Sequence, residues 1–265
     1  MFIEPPIVDS HCHILTRRMP LRPDAWTQPD YDYAAEDYLA DLDRHGIAFG
    51  VIAAASLYGD YNDYTLQALR TYKRLRATLY PQPDLGLSEL RRLRDLGVAG
   101  VRLQWKKDAA LPDFDGFEYG KYLTRLADCG MHVELNASSE QLAYALPKLT
   151  EKGVAIVVDH FGLLRSPEGM NGAGFKAALA AAGAGKAFVK ISAGFRLEPD
   201  VLHACTKKLI SVAGPERLFW GSDAPFVGHE DAMSYEKALN LFYDIVPDAE
   251  ARRRMSDAAL RFYFF

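Results

Sequence analysis

Eight short apolar runs punctuate the sequence, at residues 7–8, 50–55, 77–80, 100–103, 131–135, 154–158, 187–191 and 217–220. Each reads as a strand. Between most of them lie segments with helical spacing and many charges, at residues 35–45, 64–75, 87–96, 120–129, 139–152 and 201–213. The Ala-rich stretch 177–184 reads as a further helix end, stopped by Gly183 and Gly185. Several helices run into glycine just before the next strand: His45-Gly46, Leu96-Gly97, Cys129-Gly130 and Lys152-Gly153. Glycine there suits a left-handed cap. Eight strands alternating with helices over 265 residues is the arithmetic of an α/β fold with one (β/α)8 TIM barrel, a single domain spanning 1–265. A doubly wound open sheet is the alternative. No GxGxxG or GxxxxGK[ST] motif follows any strand, so its phosphate-loop versions lack support.

The composition narrows the function classes. Lys plus Arg is 31 and Asp plus Glu is 35, a net charge of −4, whereas nucleic-acid binders usually carry a basic excess. A local basic pocket for a small anion remains compatible with that balance. No apolar run approaches the ~18 residues of a membrane span. The start, Met1-Phe2-Ile3-Glu4-Pro5-Pro6, lacks the basic and apolar regions of a signal peptide. Cys12, Cys129 and Cys205 are odd in number and far apart, and form neither a CxxC pair nor a disulfide framework. Cys12 and Cys129 read as core packing. The expectation is a reduced, cytoplasmic protein with no nucleic-acid or membrane partner. The aromatic end Phe262-Tyr263-Phe264-Phe265 has a place either on the barrel or on a partner, which leaves a homo-oligomer open.

In a barrel of this kind the chemistry sits at the C-terminal ends of the strands. Reactive residues crowd there. Asp9-Ser10-His11-Cys12-His13 ends the first strand. Side chains alternate faces, so His11 and His13 point the same way, with Asp9 below them and Cys12 toward the helix layer. Two imidazoles at a strand end can bind a metal or grip an anionic or carbonyl oxygen. The plainer alternative is a pair of hydrogen-bonded strand histidines. Trp220-Gly221-Ser222-Asp223-Ala224-Pro225 sets Asp223 at the rim where the eighth strand stops, close to the first strand across the seam. Asp223 suits a metal ligand or a general base on water, or more plainly a helix N-cap. In Asp159-His160 one residue faces the lumen, and His160 is the expected one. Arg102 lies inside an apolar run and needs a partner, either a substrate carboxylate or an internal one such as Glu134. Lys106, Lys107, Lys190 and Arg196 lie at or beyond strand ends, either adding positive charge or serving as solvated surface charges. Ser56 can hydrogen-bond a substrate, and with no G-x-S-x-G motif it is no serine nucleophile.

Asp9-x-His11-x-His13, Asp159-His160-Phe161-Gly162 and Gly221-Ser222-Asp223-x-Pro225 together resemble the amidohydrolase superfamily, and within it the branch of 2-pyrone-4,6-dicarboxylate lactonase and related lactonases. The likeness extends through Phe49-Gly50-Val51, Gly100-Val101-Arg102-Leu103, His132-Val133-Glu134-Leu135 and Val189-Lys190-Ile191-Ser192, nearly the whole chain. The resemblance implies a barrel that hydrolyses a lactone. Asp223 would be the base that activates water, and His11, His13 and His160 would hold and polarise the scissile carbonyl. Ser56, Arg102 and Arg196 would contact substrate carboxylates, with Asn136 and Lys106 as further substrate-binding candidates. Metal-binding members usually carry a histidine where this chain has Asn136, so no cofactor is favoured. The alternative is one divalent metal, zinc, on His11, His13, His160 and Asp223. Asp108 stands where the pyrone lactonase has a second arginine, and Ala224 and Phe226 replace a Trp and a His common in relatives. Those departures point to a substrate other than the pyrone dicarboxylate, with one anionic group fewer.

The expected function is therefore hydrolysis of a small anionic lactone from aromatic-compound breakdown, water being activated by Asp223 and the oxyanion held by the histidines and Arg102. Two alternatives stand beside it: a mononuclear zinc-dependent decarboxylase of an aromatic or unsaturated acid, and a barrel that binds a small acid without turnover.

Overall fold

The computed structural model describes residues 4–105, 110–164 and 167–265. Lys106, Lys107 and Asp108 lie outside the described residues. Eight parallel strands follow one another around the sheet in sequence order. They are β1 (Val8–Cys12), β2 (Phe49–Ile52), β3 (Leu75–Leu79), β4 (Val98–Gln104), β5 (His132–Asn136), β6 (Ala155–Val158), β7 (Phe188–Ser192) and β8 (Leu218–Gly221). The helices α1 (Ala35–Arg44), α2 (Asp63–Thr71), α3 (Leu87–Leu96), α4 (Phe117–Asp128) and α5 (Ser139–Leu149) connect the first strands. After β6 come a single turn, α6 (His160–Leu163), and then α7 (Ala173–Gly183); α8 (Pro199–Ala213), α9 (Tyr235–Ile245) and α10 (Ala249–Phe264) complete the layer. The fold is a (β/α)8 barrel.

The barrel closes between β8 and β1. His13 N donates to Ala224 O at 2.7 Å and Asp223 N to His11 O at 2.8 Å. Asp9 reinforces the seam, its carboxylate accepting from Ser222 N (2.9 Å), Ser222 Oγ (2.7 Å) and the Tyr235 hydroxyl of α9 (2.8 Å). Asp9 therefore does not sit below the histidines in the lumen. The ladder between β1 and β2 slips between Asp9 and Cys12, and that bulge breaks the strict alternation of sides.

Local sequence explains the helices. In α1, Tyr38 and Leu42 are buried on one stripe, with Glu36 and Asp37 in the first turn and Arg44 in the last, as the helix dipole favours. Gly46, Gly97, Gly130 and Gly153 all have positive φ, as their places before strands suggest. Two boundaries differ from the periodicity. The helix expected over 64–75 ends at Thr71, because Leu75 is drawn into the sheet opposite Gly50. The second strand stops at Ile52, because Ala54 O accepts from the Arg102 and Gln104 side chains, so Ala55 and Ser56 belong to the following loop.

The floor of the lumen is apolar. Val8, Val51, Ala99, Val157 and Phe219 pack against Ala258, Ala259 and Tyr263 of α10. Phe262 lies over Phe188 and Phe219, so the aromatic end of the chain plugs the barrel from below, while Phe265 stays exposed. Among the described residues no helix is long and apolar enough to cross a membrane. The three cysteines are free, Cys12 and Cys205 being buried.

Gly221 shows how tight the seam is. A Cβ there would stand 2.5 Å from His11 Cβ and 2.8 Å from His11 N. Gly221→Ala must push β1 and β8 apart, and overpacking of this kind costs about 1–3 kcal/mol. A melting temperature lowered by about 2–10 °C in calorimetry is the expected result. An unchanged melt would show that the seam gives way freely.

Candidate active site

The C-terminal ends of the strands surround a cavity of about 620 Å³. His13, Ser56, Arg102, Asn136, His160, Arg196 and Asp223 line it, with Trp26, Leu57, Phe161, Leu164, Leu197 and Val227 supplying apolar walls. Few polar groups converging within apolar walls is the usual make-up of a small-molecule site. Every described residue expected at the site lines this cavity, with one exception: His11 is fully buried and lies beneath it.

Asp223 is the hub. Its Oδ1 lies 3.7 Å from His11 Nε2, 3.6 Å from His13 Nε2 and 3.8 Å from His160 Nε2. Its Oδ2 accepts from Arg196 Nη2 at 2.7 Å. Burial lifts the Asp223 carboxyl to about 6, against the pull of Arg196 and Arg102. Asp223 is not a helix N-cap. Its φ of 64° is in the left-handed region, which Asp tolerates better than most residues.

The three histidines are held neutral. Burial drives His11 and His160 well below the ordinary imidazole range and His13 down to about 3. They therefore offer hydrogen bonds and lone pairs, and the fixed positive charge comes from Arg102 and Arg196. His13 Nδ1 donates to Ala53 O at 2.8 Å, which leaves an unprotonated Nε2 facing the cavity. His160 Nδ1 lies 2.8 Å from Ser192 Oγ.

His160 stands on unusual backbone. His160, Phe161, Gly162 and Leu163 have φ of 46°, 57°, 75° and 55°, so α6 is one left-handed turn. Such conformations cost roughly 1–2 kcal/mol per non-glycine residue. The strain is concentrated where the His160 ring is aimed at Asp223.

A second layer lies beneath the cavity. Arg102 Nε donates to Asp159 Oδ2 at 2.8 Å and is 3.1 Å from Glu134 Oε1. Lys190 Nζ donates to Glu134 Oε2 at 2.5 Å and lies 3.6 Å from Asp159 Oδ1. All four side chains are buried, and their charges balance two against two. Burial pushes the Asp159 carboxyl up, but the guanidinium of Arg102 and the ammonium of Lys190 outweigh it and hold it well below the carboxylate range. Two expectations change here, and for Arg102 the internal alternative is realised. Lys190 is not a solvated surface charge. Asp159 faces inward as well as His160. Arg102 takes the internal partners while still reaching the cavity wall. The signal was available: Arg102, Glu134 and Lys190 each sit between two apolar residues, Val101 and Leu103, Val133 and Leu135, Val189 and Ile191. Those neighbours pack into the helix-side core, so the charges between them must face the lumen.

The donor atoms of His11, His13 and Asp223 lie within 4.8 Å of one another, as do those of His11, Asp159 and His160. That spacing, with the unprotonated Nε2 of His13 and the Asp223 carboxylate, would let one divalent ion sit among them provided His11 also turned a lone pair inward.

The 4-sulfomuconolactone hydrolase of Hydrogenophaga intermedia is 26% identical over 268 residues, covering 96% of this chain and 87% of that protein. The 2-pyrone-4,6-dicarboxylate hydrolase of Comamonas testosteroni is 26% identical over 276 residues, covering 97% and 90%. A crystal structure of a probable 2-pyrone-4,6-dicarboxylic acid hydrolase from Acinetobacter baumannii with citric acid bound superposes with a TM-score of 0.91 at 26% identity, covering 98% of this chain and 100% of that one. A family model described as amidohydrolase matches residues 8–265, from the first strand to the last residue, and the chain belongs to that family.

Proposed function

We propose that this protein is a lactonase that opens a small anionic lactone, of the kind its relatives' names describe, by attack of a water activated by Asp223. The observation that carries the reading is the Asp223 carboxylate: buried, poised at about 6, lining the cavity and set among three neutral imidazoles. A base with that pKa is ionised at neutral pH and still accepts a proton readily.

The geometry suggests the following course. Water donates one proton to Asp223 Oδ1 and a second hydrogen bond to the free lone pair of His13 Nε2, 3.6 Å away. Its own lone pair then faces the ester carbonyl. Charge that develops on the carbonyl oxygen meets the guanidinium of Arg102. The carbon–oxygen bond of the ring breaks, and the proton held by Asp223 passes to the departing oxygen. Arg196, with Ser56 and Asn136, faces the substrate's anionic groups, and the apolar walls take the ring faces. A divalent ion, if held by His11, His13 and Asp223, would supply carbonyl polarisation or a more acidic water. The course above needs none. The proposed setting is cytoplasmic.

The test is to strip the protein with a strong chelator, mix it with 2-pyrone-4,6-dicarboxylate and follow loss of the pyrone absorbance. Turnover is expected for this or a related anionic lactone. Failure across a panel of such lactones, with a substrate acid losing CO2 only after zinc is restored, would replace the reading with the decarboxylase.

The pH profile follows from the same carboxyl. The base acts only when ionised, so kcat/KM should rise with pH through an acid limb near 6. Arg196 pulls that carboxyl down, so in Arg196→Met the limb should move to higher pH. A limb that stays in place in this variant would separate it from Asp223.

A further inference from the structure

Lys190 has a role that the hydrolytic scheme does not yet use. Its ammonium is fully buried on β7, in an ion pair with Glu134. It also lies 3.0 Å from His11 Nδ1. An ammonium has three N–H donors and no lone pair, so at that contact the ring nitrogen must accept. The other groups near His11 Nδ1, Asp159 Oδ1 at 3.4 Å and Glu134 Oε1 at 3.7 Å, are both farther from it than the ammonium, and Arg102 Nε lies 3.1 Å from Glu134 Oε1. Accepting from the ammonium at the shortest of these contacts, Nδ1 carries no proton for the carboxylates. In the neutral imidazole the proton is then on Nε2. That atom is itself buried without a hydrogen-bond partner, and 3.7 Å away is Asp223 Oδ1.

We propose that Lys190 is a positioning residue: through its hydrogen bond to His11 Nδ1 it holds His11 as the Nε2–H tautomer, so that the ring turns a proton, not a lone pair, toward Asp223. His11 and His13 are thereby given opposite jobs. His13, with Nδ1–H on Ala53 O, offers a lone pair to the attacking water. His11, with Nε2–H, supports the carboxylate from below. A histidine that ligates through Nε2 needs its proton on Nδ1, normally given to a carboxylate or carbonyl. His13 meets that condition and His11 does not. Lys190 thus also weakens the metal site that the donor spacing would otherwise allow.

The inference rests on the hydrolase reading for its catalytic meaning, but its test does not need substrate. In the full-length protein labelled with 15N-histidine, NMR of the ring nitrogens should show His11 unprotonated at Nδ1 and protonated at Nε2, the signals being assigned with His11→Gln. A proton on His11 Nδ1 overturns the proposal even if the lactone is hydrolysed; a failed lactone assay leaves this result standing. The variant Lys190→Met/Glu134→Gln removes one charge of each sign and keeps the buried balance. In it the closest group left to His11 Nδ1 is the Asp159 carboxylate, at 3.4 Å, with the residue-134 side chain farther off at 3.7 Å, and the ring should switch to Nδ1–H. Zinc binding by calorimetry should tighten by about 10–100-fold, the scale on which groups behind a ligand act. In the same variant kcat should fall more than KM changes. Retention of the Nε2–H tautomer, or zinc affinity equal to that of the unaltered protein, would overturn the role given to Lys190. If the variant fails to fold, the NMR of the unaltered protein decides alone.

Discussion

Asp223→Asn should turn over substrate about 10²–10⁴-fold more slowly, the range typical for loss of a general base, while binding it nearly as well. It should also be more stable than the parent at neutral pH. The Asp223 carboxyl has its pKa raised by burial from 3.8 to about 6. The folded state thus holds this proton more tightly than the unfolded chain, and ionising the group works against folding. That penalty is absent well below pH 4, grows as pH rises through the window between 3.8 and about 6, and is complete above it. At ~1.4 kcal/mol per pKa unit it amounts to about 3 kcal/mol at pH 7.5. Asparagine removes the charge, keeps the shape and tolerates the left-handed φ that residue 223 adopts. Arg196 loses a partner, but its side chain is 36% exposed and can be solvated. Thermal melts at pH 7.5 and pH 4 check the point: the variant should melt higher at pH 7.5, and most of the gain should be gone at pH 4. Equal gains at both would assign the effect to something other than this carboxyl, and undiminished turnover would end its role as base.

The barrel was legible because its signals are local and repeat. Apolar runs, charged helical segments and glycines before strands recur often enough that a slip at one boundary, such as Thr71 or Ile52, does not alter the architecture. The upper layer of the site was legible for a related reason. His11, His13, His160 and Asp223 lie at strand ends, where a barrel keeps its chemistry. The lower layer was harder to read. Whether Lys190 meets solvent or Glu134 depends on how deep in the lumen its register sets it, and register comes from pairing with β8, not from β7 alone. Asp9 was misplaced for a similar reason. A bulge inside β1 changes which residues share a face, and nothing in Asp9-Ser10-His11 announces a bulge. The left-handed turn under His160 is likewise a tertiary outcome, since only Gly162 among its four residues favours that backbone.

Arg102→Met should cost about 3–5 kcal/mol of stability, because it breaks a buried ion cluster from one side. With Arg102 present, two cations face two carboxylates in the lumen. Without it, Asp159 and Glu134 share Lys190 alone, and one negative charge is left buried without a counter-ion. Against a total stability of ~5–15 kcal/mol that loss is severe, and it should show as a large drop in the urea midpoint. The same cluster can be neutralised from both sides. Arg102→Met/Asp159→Asn removes one charge of each sign, and replacing a buried pair by neutral groups of similar volume is often close to neutral in energy. The double variant should therefore recover most of the lost stability, and the difference from additivity measures the coupling. Its activity should not recover, because Arg102 also lines the cavity and supplies the fixed positive charge that three neutral histidines do not. A single variant within about 1 kcal/mol of the parent would show that the lumen is better hydrated than its packing implies. A double variant that regained turnover would move the oxyanion contact from Arg102 to Arg196.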